Sequence, residues 1–288
     1  MLLPRQRQGD YNRRARIAMK ILLTGKPKSG KTTLLNNLLK DAQNKQGMVA
    51  VEVLEREQRI GFNLQDSSGR LATLAQTNHK TNISVGRYFV DVQSLESFIE
   101  PLFTFEPGQL LYIDEIGHMQ LYSKEFQKLV QSYLNAPNDY VGTISSIYEH
   151  PFINEVKSRS DVLLCTVTPD NRDEMFVFLN AALKHRSIFN SLSTEVQTKI
   201  LSMARTYLAS QSYLSLKKLF SNAIVYVSEK RVQKTPPHSF VVQGNHAEHT
   251  VSLHENAYRC DCDFFNGREQ FAGNAGECSH IQAVKVLK

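Results

Sequence analysis

The sequence predicts an α/β fold, a mostly parallel sheet flanked by helices, and three observations predict it. Short β-rich runs alternate with helical patterns from Lys20 to Leu183. A G-x-x-x-x-G-K-[ST] turn joins the first run to the first helical pattern, and the apolar run Leu110–Ile113 ends in two acids. At about 100 to 200 residues per domain, 288 residues suggest two domains, and a 41% apolar content is ample for a core.

The strands in this reading are Lys20–Thr24, Met48–Val53, Leu110–Ile113, Tyr140–Ile144 and Val162–Thr166, each a short apolar run of strand length. The segments Lys31–Lys40, Val92–Phe103, Ser123–Leu134 and Arg172–Leu183 carry apolar residues at helical spacing. Ile60–Leu64 and Leu71–Leu74 flank the turn-forming Asp66-Ser67-Ser68-Gly69, which predicts an antiparallel hairpin at the sheet edge. Beyond residue 184 the alternation stops. Val196, Ile200, Met203 and Tyr207 repeat at helical spacing after a Thr194-x-x-Gln197 capping pattern, and Leu216, Leu219, Phe220 and Ala223 form the apolar face of a second helix. The pair reads as a connecting hairpin rather than a helix-turn-helix. Lys234-Thr235-Pro236-Pro237 breaks regularity, and Ser239–Val242 and Thr250–Leu253 read as strands of a compact module. The expected division is a basic, disordered arm over 1–18, a core over 19–183, a basic helical connector over 184–235 and a module over 236–288.

The net charge of +6 is unevenly placed. Residues 1–20 hold six basic residues against Asp10, and 184–235 hold nine against Glu195 and Glu229. These two segments could contact phosphate or an acidic partner. No stretch approaches the roughly 18 consecutive apolar residues of a membrane span, and MLLPRQRQG lacks a secretory apolar segment. A soluble, cytoplasmic protein with no membrane partner is expected. Three of the four cysteines fall within nineteen positions, a clustering that in a reducing compartment suggests metal rather than disulfides.

Gly25-Lys26-Pro27-Lys28-Ser29-Gly30-Lys31-Thr32 lies after a strand and before a helix, the place where backbone N–H groups and a helix N-terminus can surround polyphosphate. Thr33 continues this binding segment. Lys31 would reach the terminal phosphates and the Thr32 hydroxyl would bind Mg²⁺. Asp114, delivered by a buried strand to the same sheet edge, would hold the Mg²⁺ hydration shell, and Glu115 would orient and deprotonate an attacking water. That second acid favours hydrolysis of a triphosphate over transfer to an acceptor.

With these motifs placed, residues 19–183 resemble the cancer-related nucleoside-triphosphatase family of small P-loop proteins. The resemblance rests on Gly25–Leu35, Arg59-Ile60-Gly61-Phe62, Val85-Gly86-Arg87-Tyr88, Asp114-Glu115-Ile116-Gly117-His118-Met119 with Phe126 following, and Thr168-Pro169-Asp170-Asn171-Arg172-Asp173. It implies a RecA/AAA-like core and Mg²⁺-dependent hydrolysis of ATP, GTP and other nucleoside triphosphates. It also implies that Asn171 and Arg172 lie near the nucleotide, with a helix cap and first turn as their alternative role. Arg159 is similar to a basic family position that would stabilise charge on the γ-phosphate. Departures from the pattern are Pro27-Lys28-Ser29 in the loop, Leu54 and Gln120.

Near the C-terminus, Cys260-x-Cys262 and Cys278-x-His280 supply three thiolates and an imidazole, a closed tetrahedral set suited to structural Zn²⁺. Cys260 and Cys262 need a turn or bulge to converge, Gly267, Gly273 and Gly276 would let the loop return, and His280 begins a short helix. The pattern resembles a SWIM-type zinc finger over about residues 224–288. Such fingers are associated with DNA or protein recognition. His246, His249 and His254 are assigned no metal, and Cys165 is assigned to packing. The expected function is Mg²⁺-dependent triphosphate hydrolysis joined to a zinc finger. A nucleotide or nucleoside kinase, a nucleotide-gated adaptor with slow hydrolysis and a DNA-binding module with a vestigial nucleotide site are the alternatives.

Overall fold

The computed structural model describes residues 17–255, 257–265 and 277–288. β1 (Lys20–Thr24) leads into α1 (Lys31–Leu39). β2 (Lys45–Glu55), β3 (Gln58–Asp66), β4 (Leu71–Gln76), β5 (Ser84–Val85) and β6 (Tyr88–Val90) follow. Next come α2 (Val92–Ile99), β7 (Leu110–Ile116), α3 (Lys124–Asn135), β8 (Tyr140–Ile144), α4 (Pro151–Ser158), β9 (Val162–Thr166) and α5 (Arg172–Lys184). One nine-stranded sheet results, in the order β5-β6-β4-β3-β2-β7-β8-β1-β9. The five strands from β2 to β9 in that order are parallel, and β3 to β6 extend them antiparallel. Parallel strands place all their C-terminal ends on one edge, so the loops after β1, β7, β8 and β9 gather there.

The expected fold class and hairpin are present, with differences that have local causes. β2 is longer than Met48–Val53 because its first half pairs with β7 and its second half with β3. The helix expected over Val92–Phe103 stops at Ile99 and tightens to a 3₁₀ turn over Glu100–Phe103, where Pro101 has no N–H to donate. Ser123 caps α3 rather than joining it, its Oγ accepting from Phe126 N–H at 3.0 Å. α4 is an additional helix, started by Pro151 at its first position. The matched segments around Arg59 and Tyr88 meet in the antiparallel extension, where Arg59 Nε donates to Tyr88 Oη at 3.0 Å and the Phe62 and Tyr88 rings pack edge to face.

Alternate residues of β1 serve opposite faces: Ile21 and Leu23 pack with α1 and α5, while Leu22 packs with residues of α2, α3 and α4. Lys20 is buried, and its ammonium caps the C-terminal end of α3 by donating to the Tyr133 and Ala136 carbonyls, with Asn138 as a third partner. Burial lowers its pKa to about 8 against the attraction of Asp139.

The 184–235 segment is a packed layer, not a detached connector. It contains α6 (Arg186–Ser191), α7 (Thr194–Ala209), α8 (Tyr213–Lys218), a π turn over Leu219–Ala223 and α9 (Ile224–Ser228). Leu216, Leu219, Phe220 and Ala223 are fully buried in the same cluster as Ile21 and Phe178. The cap of α7 is Ser193, one residue before the expected Thr194, and this register turns Gln197 inward. The Gln197 amide accepts from Ile17 N–H and donates to the Ile17 and Phe189 carbonyls, so Ile17 and Ala18 are docked rather than part of a free arm. Residues 1–16 lie outside the described residues. We expect Phe220→Ala to cost about 3–5 kcal/mol in urea denaturation, because Phe220 packs 5.6 Å from Phe178 and 6.2 Å from Phe189.

β10 (Val232–Thr235), β11 (Ser239–Gln243), β12 (Glu248–His254) and β13 (Ala257–Cys260) form a four-stranded antiparallel sheet, followed by α10 (Ser279–Leu287). Pro236-Pro237 is a hairpin turn inside this sheet, so the module begins before residue 236. Ile281 and Val284 of α10 join the cluster shared with β1 and α5. Among the described residues, no helix is long and apolar enough to cross a membrane.

Candidate functional site

The first site gathers at the C-terminal edge of the parallel strands. Gly25 has φ +148° and lies so close to the loop after β9 that a Cβ there would stand 2.3 Å from the Val167 carbonyl oxygen. Gly30 has φ +98°, and a Cβ there would meet Arg172 Cδ at 2.8 Å. Only glycine satisfies both the backbone conformation and the space at these two positions. α1 has no side-chain cap and no acid in its first turn, and its first backbone bond runs from Leu34 N–H to the Gly30 carbonyl. The N–H groups before it point out of the helix end with its positive dipole.

Lys31 is buried and lies back along the loop, its Nζ donating to the Gly25 and Lys26 carbonyls at 2.9 and 3.3 Å. Ser146 Oγ donates to the Gly25 carbonyl at 2.8 Å, tying the loop to the end of β8. Lys26, Pro27, Lys28, Thr32 and Thr33 are exposed, and Ser29 is buried. The Ser29 hydroxyl has no partner among the described residues.

Asp114, at the end of β7, is 3% exposed. Thr143 of β8 donates to its Oδ1, and the Thr32 hydroxyl also holds it. Burial pushes its pKa up, opposed by those two hydroxyls and by Lys31. The Thr32 oxygen and a carboxylate oxygen, brought together beside Lys31, are the hard donor set that Mg²⁺ takes. Half-buried Glu115 is pushed up by burial, opposed by Lys31 and reinforced by Asp114. The ring of His118, from the same segment, stacks on Tyr148 with centroids 3.9 Å apart.

One expected residue needs correction, and Asn171 takes its alternative place at the start of a helix. Arg159 is not at this edge: its guanidinium pairs with Asp161 at 2.7 Å and donates to Asn135 Oδ1 and the Leu134 carbonyl at the start of β9, the opposite end of the sheet. The basic group of that segment that lines the loop cavity is Lys157, whose Nζ donates to the Ser145 carbonyl at 2.6 Å. A helical side chain leans toward its helix N-terminus, which carries Lys157 back up to the loop, whereas Arg159 lies beyond the helix end. Arg172 is the first residue of α5, and its Cδ lies 2.8 Å from where a Cβ on Gly30 would stand. Asn171 is spent on structure: Oδ1 accepts from Thr168 N–H, and Nδ2 donates to the Thr166 carbonyl and Tyr213 Oη. Lys157 and Ser146 carry no motif of their own, which is why the sequence did not single them out.

The profile of the NTPase family matches residues 20–178. The chain belongs to the NTPase family. Among its relatives, the nucleoside-triphosphatase THEP1 of Thermotoga maritima is 34% identical over 168 residues, which is 58% of this chain and 96% of that protein. The human cancer-related nucleoside-triphosphatase is 32% identical, over 55% of this chain and 93% of that protein. The crystal structure of THEP1 from Aquifex aeolicus superposes with a TM-score of 0.50 at 31% identity, covering 55% of this chain and 95% of that one. The solution structure of the human protein gives 0.52 at 29% identity, covering 58% of this chain and 98% of that one. The NTPase-family match therefore ends before α6, and the helical layer and the four-stranded sheet lie outside it.

The second site lies in that outer part. The ligand atoms of Cys260, Cys262, Cys278 and His280 all lie within 4.8 Å of one another. A tetrahedron with Zn–S bonds of about 2.3 Å has edges of roughly 3.8 Å, so the set fits one Zn²⁺ with little adjustment. The three cysteines are buried, and Cys262 follows the end of β13 at a bend that turns both thiols inward. Cys278 Sγ also accepts from Ile281 N–H and starts α10. His280 turns Nδ1 toward Cys260 at 3.7 Å, its ring stacked on Tyr226 and 4.3 Å from His249. The three thiols are close enough to hydrogen-bond to one another, which lowers the Cys262 pKa and raises those of Cys260 and Cys278. Gly267, Gly273 and Gly276 lie outside the described residues. Cys165 is fully buried in the β1 face cluster, and burial pushes its thiol up to about 12.

Proposed function

We propose that the chain hydrolyses nucleoside 5′-triphosphates to diphosphate and phosphate at the loop after β1. The observation that carries this reading is the convergence of Lys31, Thr32, Asp114 and Glu115 from α1 and β7 on one sheet edge. The loop amides and Lys31 bind the polyphosphate, and Lys157 adds a positive charge from the β8 side. Thr32 and Asp114 would hold Mg²⁺, which when bound neutralises charge on the β- and γ-phosphates. Glu115 then orients the attacking water and takes its proton. Relatives named nucleoside-triphosphatase support this reading.

In the same proposal, Cys260, Cys262, Cys278 and His280 hold a structural Zn²⁺ in a SWIM-type finger. All four positions are filled by protein, so the ion meets no substrate. The finger and the basic helical layer would present the cytoplasmic enzyme to nucleic acid or to a protein partner.

The test is phosphate release from Mg-ATP and Mg-GTP with no acceptor present, with and without DNA. Release without acceptor favours hydrolysis over a kinase, and loss of release in EDTA identifies the dependence on Mg²⁺. Lys31→Ala is expected to abolish nucleotide binding by calorimetry, because the buried ammonium that lies along the loop is gone, while Lys26 and Lys28 point to solvent. Retained heat of binding in that variant refutes the site.

A further inference from the structure

The loop cavity does not end at the phosphate loop. Its volume is about 650 Å³, and its walls include Gly25, Lys26, Lys157, Thr166 and Thr168. A second cavity of about 720 Å³ shares Lys157, Thr166 and Thr168 with it. The two therefore adjoin at the end of β9, with these three side chains between them. Either volume is within the range of small-molecule pockets, roughly 300–1,000 Å³.

The far wall of the second cavity is made by Arg205, Leu208, Ala209, Gln211 and Tyr213 of α7, α8 and the turn between them. All five lie beyond residue 178, where the family match ends. The near wall is the outer side of β9, with Leu164, and Met175 of α5. Leu208 and Ala209 thus face Leu164 and Met175 across an apolar strip of the groove, and the rest of the lining is polar, with Arg159 and Arg205 at one end and Thr166, Thr168, Asn171, Gln211 and Tyr213 elsewhere. Tyr213 Oη accepts from Asn171 Nδ2 at 2.8 Å and keeps its own proton to donate. The Gln211 amide offers both a donor and an acceptor. A flat ring with apolar faces and mixed polar edges suits such a groove, and a nucleobase is that kind of ring.

Resting on the reading of the phosphate loop as a triphosphate site, we propose that this groove holds the nucleoside half of the substrate, so that the C-terminal helical layer supplies a base subsite outside the family-matched core. Gln211 and Tyr213 contact the base or ribose, and Leu208 and Ala209 cover one face. An amide that can present either end tolerates purines and pyrimidines alike, so the subsite separates nucleotides from bare polyphosphate more than one base from another.

The chain has no tryptophan, so Ala209→Trp in the full-length protein installs a single indole, excited apart from the tyrosines at about 295 nm, at an exposed position in the last turn of α7. Its emission is expected to change on titration with Mg-ATP and to stay constant with Mg-tripolyphosphate. The same variant should raise KM for ATP about tenfold with kcat unchanged, and leave the inhibition constant of tripolyphosphate at the wild-type value. Gln211→Ala, in an exposed turn, provides a second variant with the same split. Unchanged KM and silent emission overturn the proposal, and so does equal weakening of ATP and tripolyphosphate, which would mean the phosphate loop itself was disturbed. If the wild-type chain binds neither compound, the triphosphate reading fails first and takes the subsite with it.

Discussion

Glu115→Gln is expected to lower phosphate release by about 10²–10⁴-fold, the usual contribution of a positioned proton acceptor, while Mg-nucleotide affinity measured by calorimetry stays within about threefold of wild type. The amide keeps the size and hydrogen bonding of the side chain but cannot take a proton from water. Asp114 and Lys31 remain in place, so binding survives. A variant that turns over at the wild-type rate removes Glu115 from the chemistry. The pH profile supplies an independent check. Burial and Asp114 raise the pKa of Glu115 despite Lys31. The reactive carboxylate is therefore present above that raised value and is lost as pH falls through it. The acidic limb of kcat should lie above the ordinary glutamate value of about 4.3, and the residual activity of the glutamine variant should lack that limb.

Cys260→Ser carries the second large effect. A closed zinc site contributes an apparent free energy of about 10–16 kcal/mol in small metal-dependent domains, and the variant is expected to bind no zinc by metal analysis. From the sequence, an isolated module would unfold alone. The structure leads to a different expectation, because α10 is held on the rest of the chain. Gln282 Nε2 donates to the Ser215 carbonyl at 2.9 Å, Tyr207 Oη donates to Glu277 at 2.6 Å, and Ile281 and Val284 pack in the cluster shared with β1 and α5. Loss of zinc should therefore lower the temperature at which phosphate release is inactivated. An inactivation curve identical to wild type, with zinc absent, would mean the module folds independently.

The parts of this protein legible in its sequence are those whose chemistry is written in neighbouring residues. The phosphate loop needs two glycines, a lysine and a hydroxyl within eight positions. Asp114 and Glu115 end an apolar strand, and Cys260, Cys262, Cys278 and His280 match a metal-ligand set by type and spacing. The α/β alternation and the hairpin after β2 follow from local periodicity in the same way. Arg159 shows where that reading fails. It lies two positions from Lys157, yet Lys157 reaches the loop cavity while Arg159 pairs with Asp161 at the start of β9, because the direction of α4 and the end of that helix decide between them.

The sequence by itself determined the nucleotide-loop motif, the acidic pair and the ligand set, since each is fixed by short-range covalent spacing. Only the tertiary structure decided that the helices after residue 184 pack against α5, that Asn171 braces Tyr213 instead of standing free, and that a second cavity under α7 adjoins the loop cavity. The physical reason is burial. Leu216, Phe220 and Ile281 signal that they must leave water, but an apolar face does not encode which other face it will meet, and that choice is made by the shape of the assembled sheet and helices.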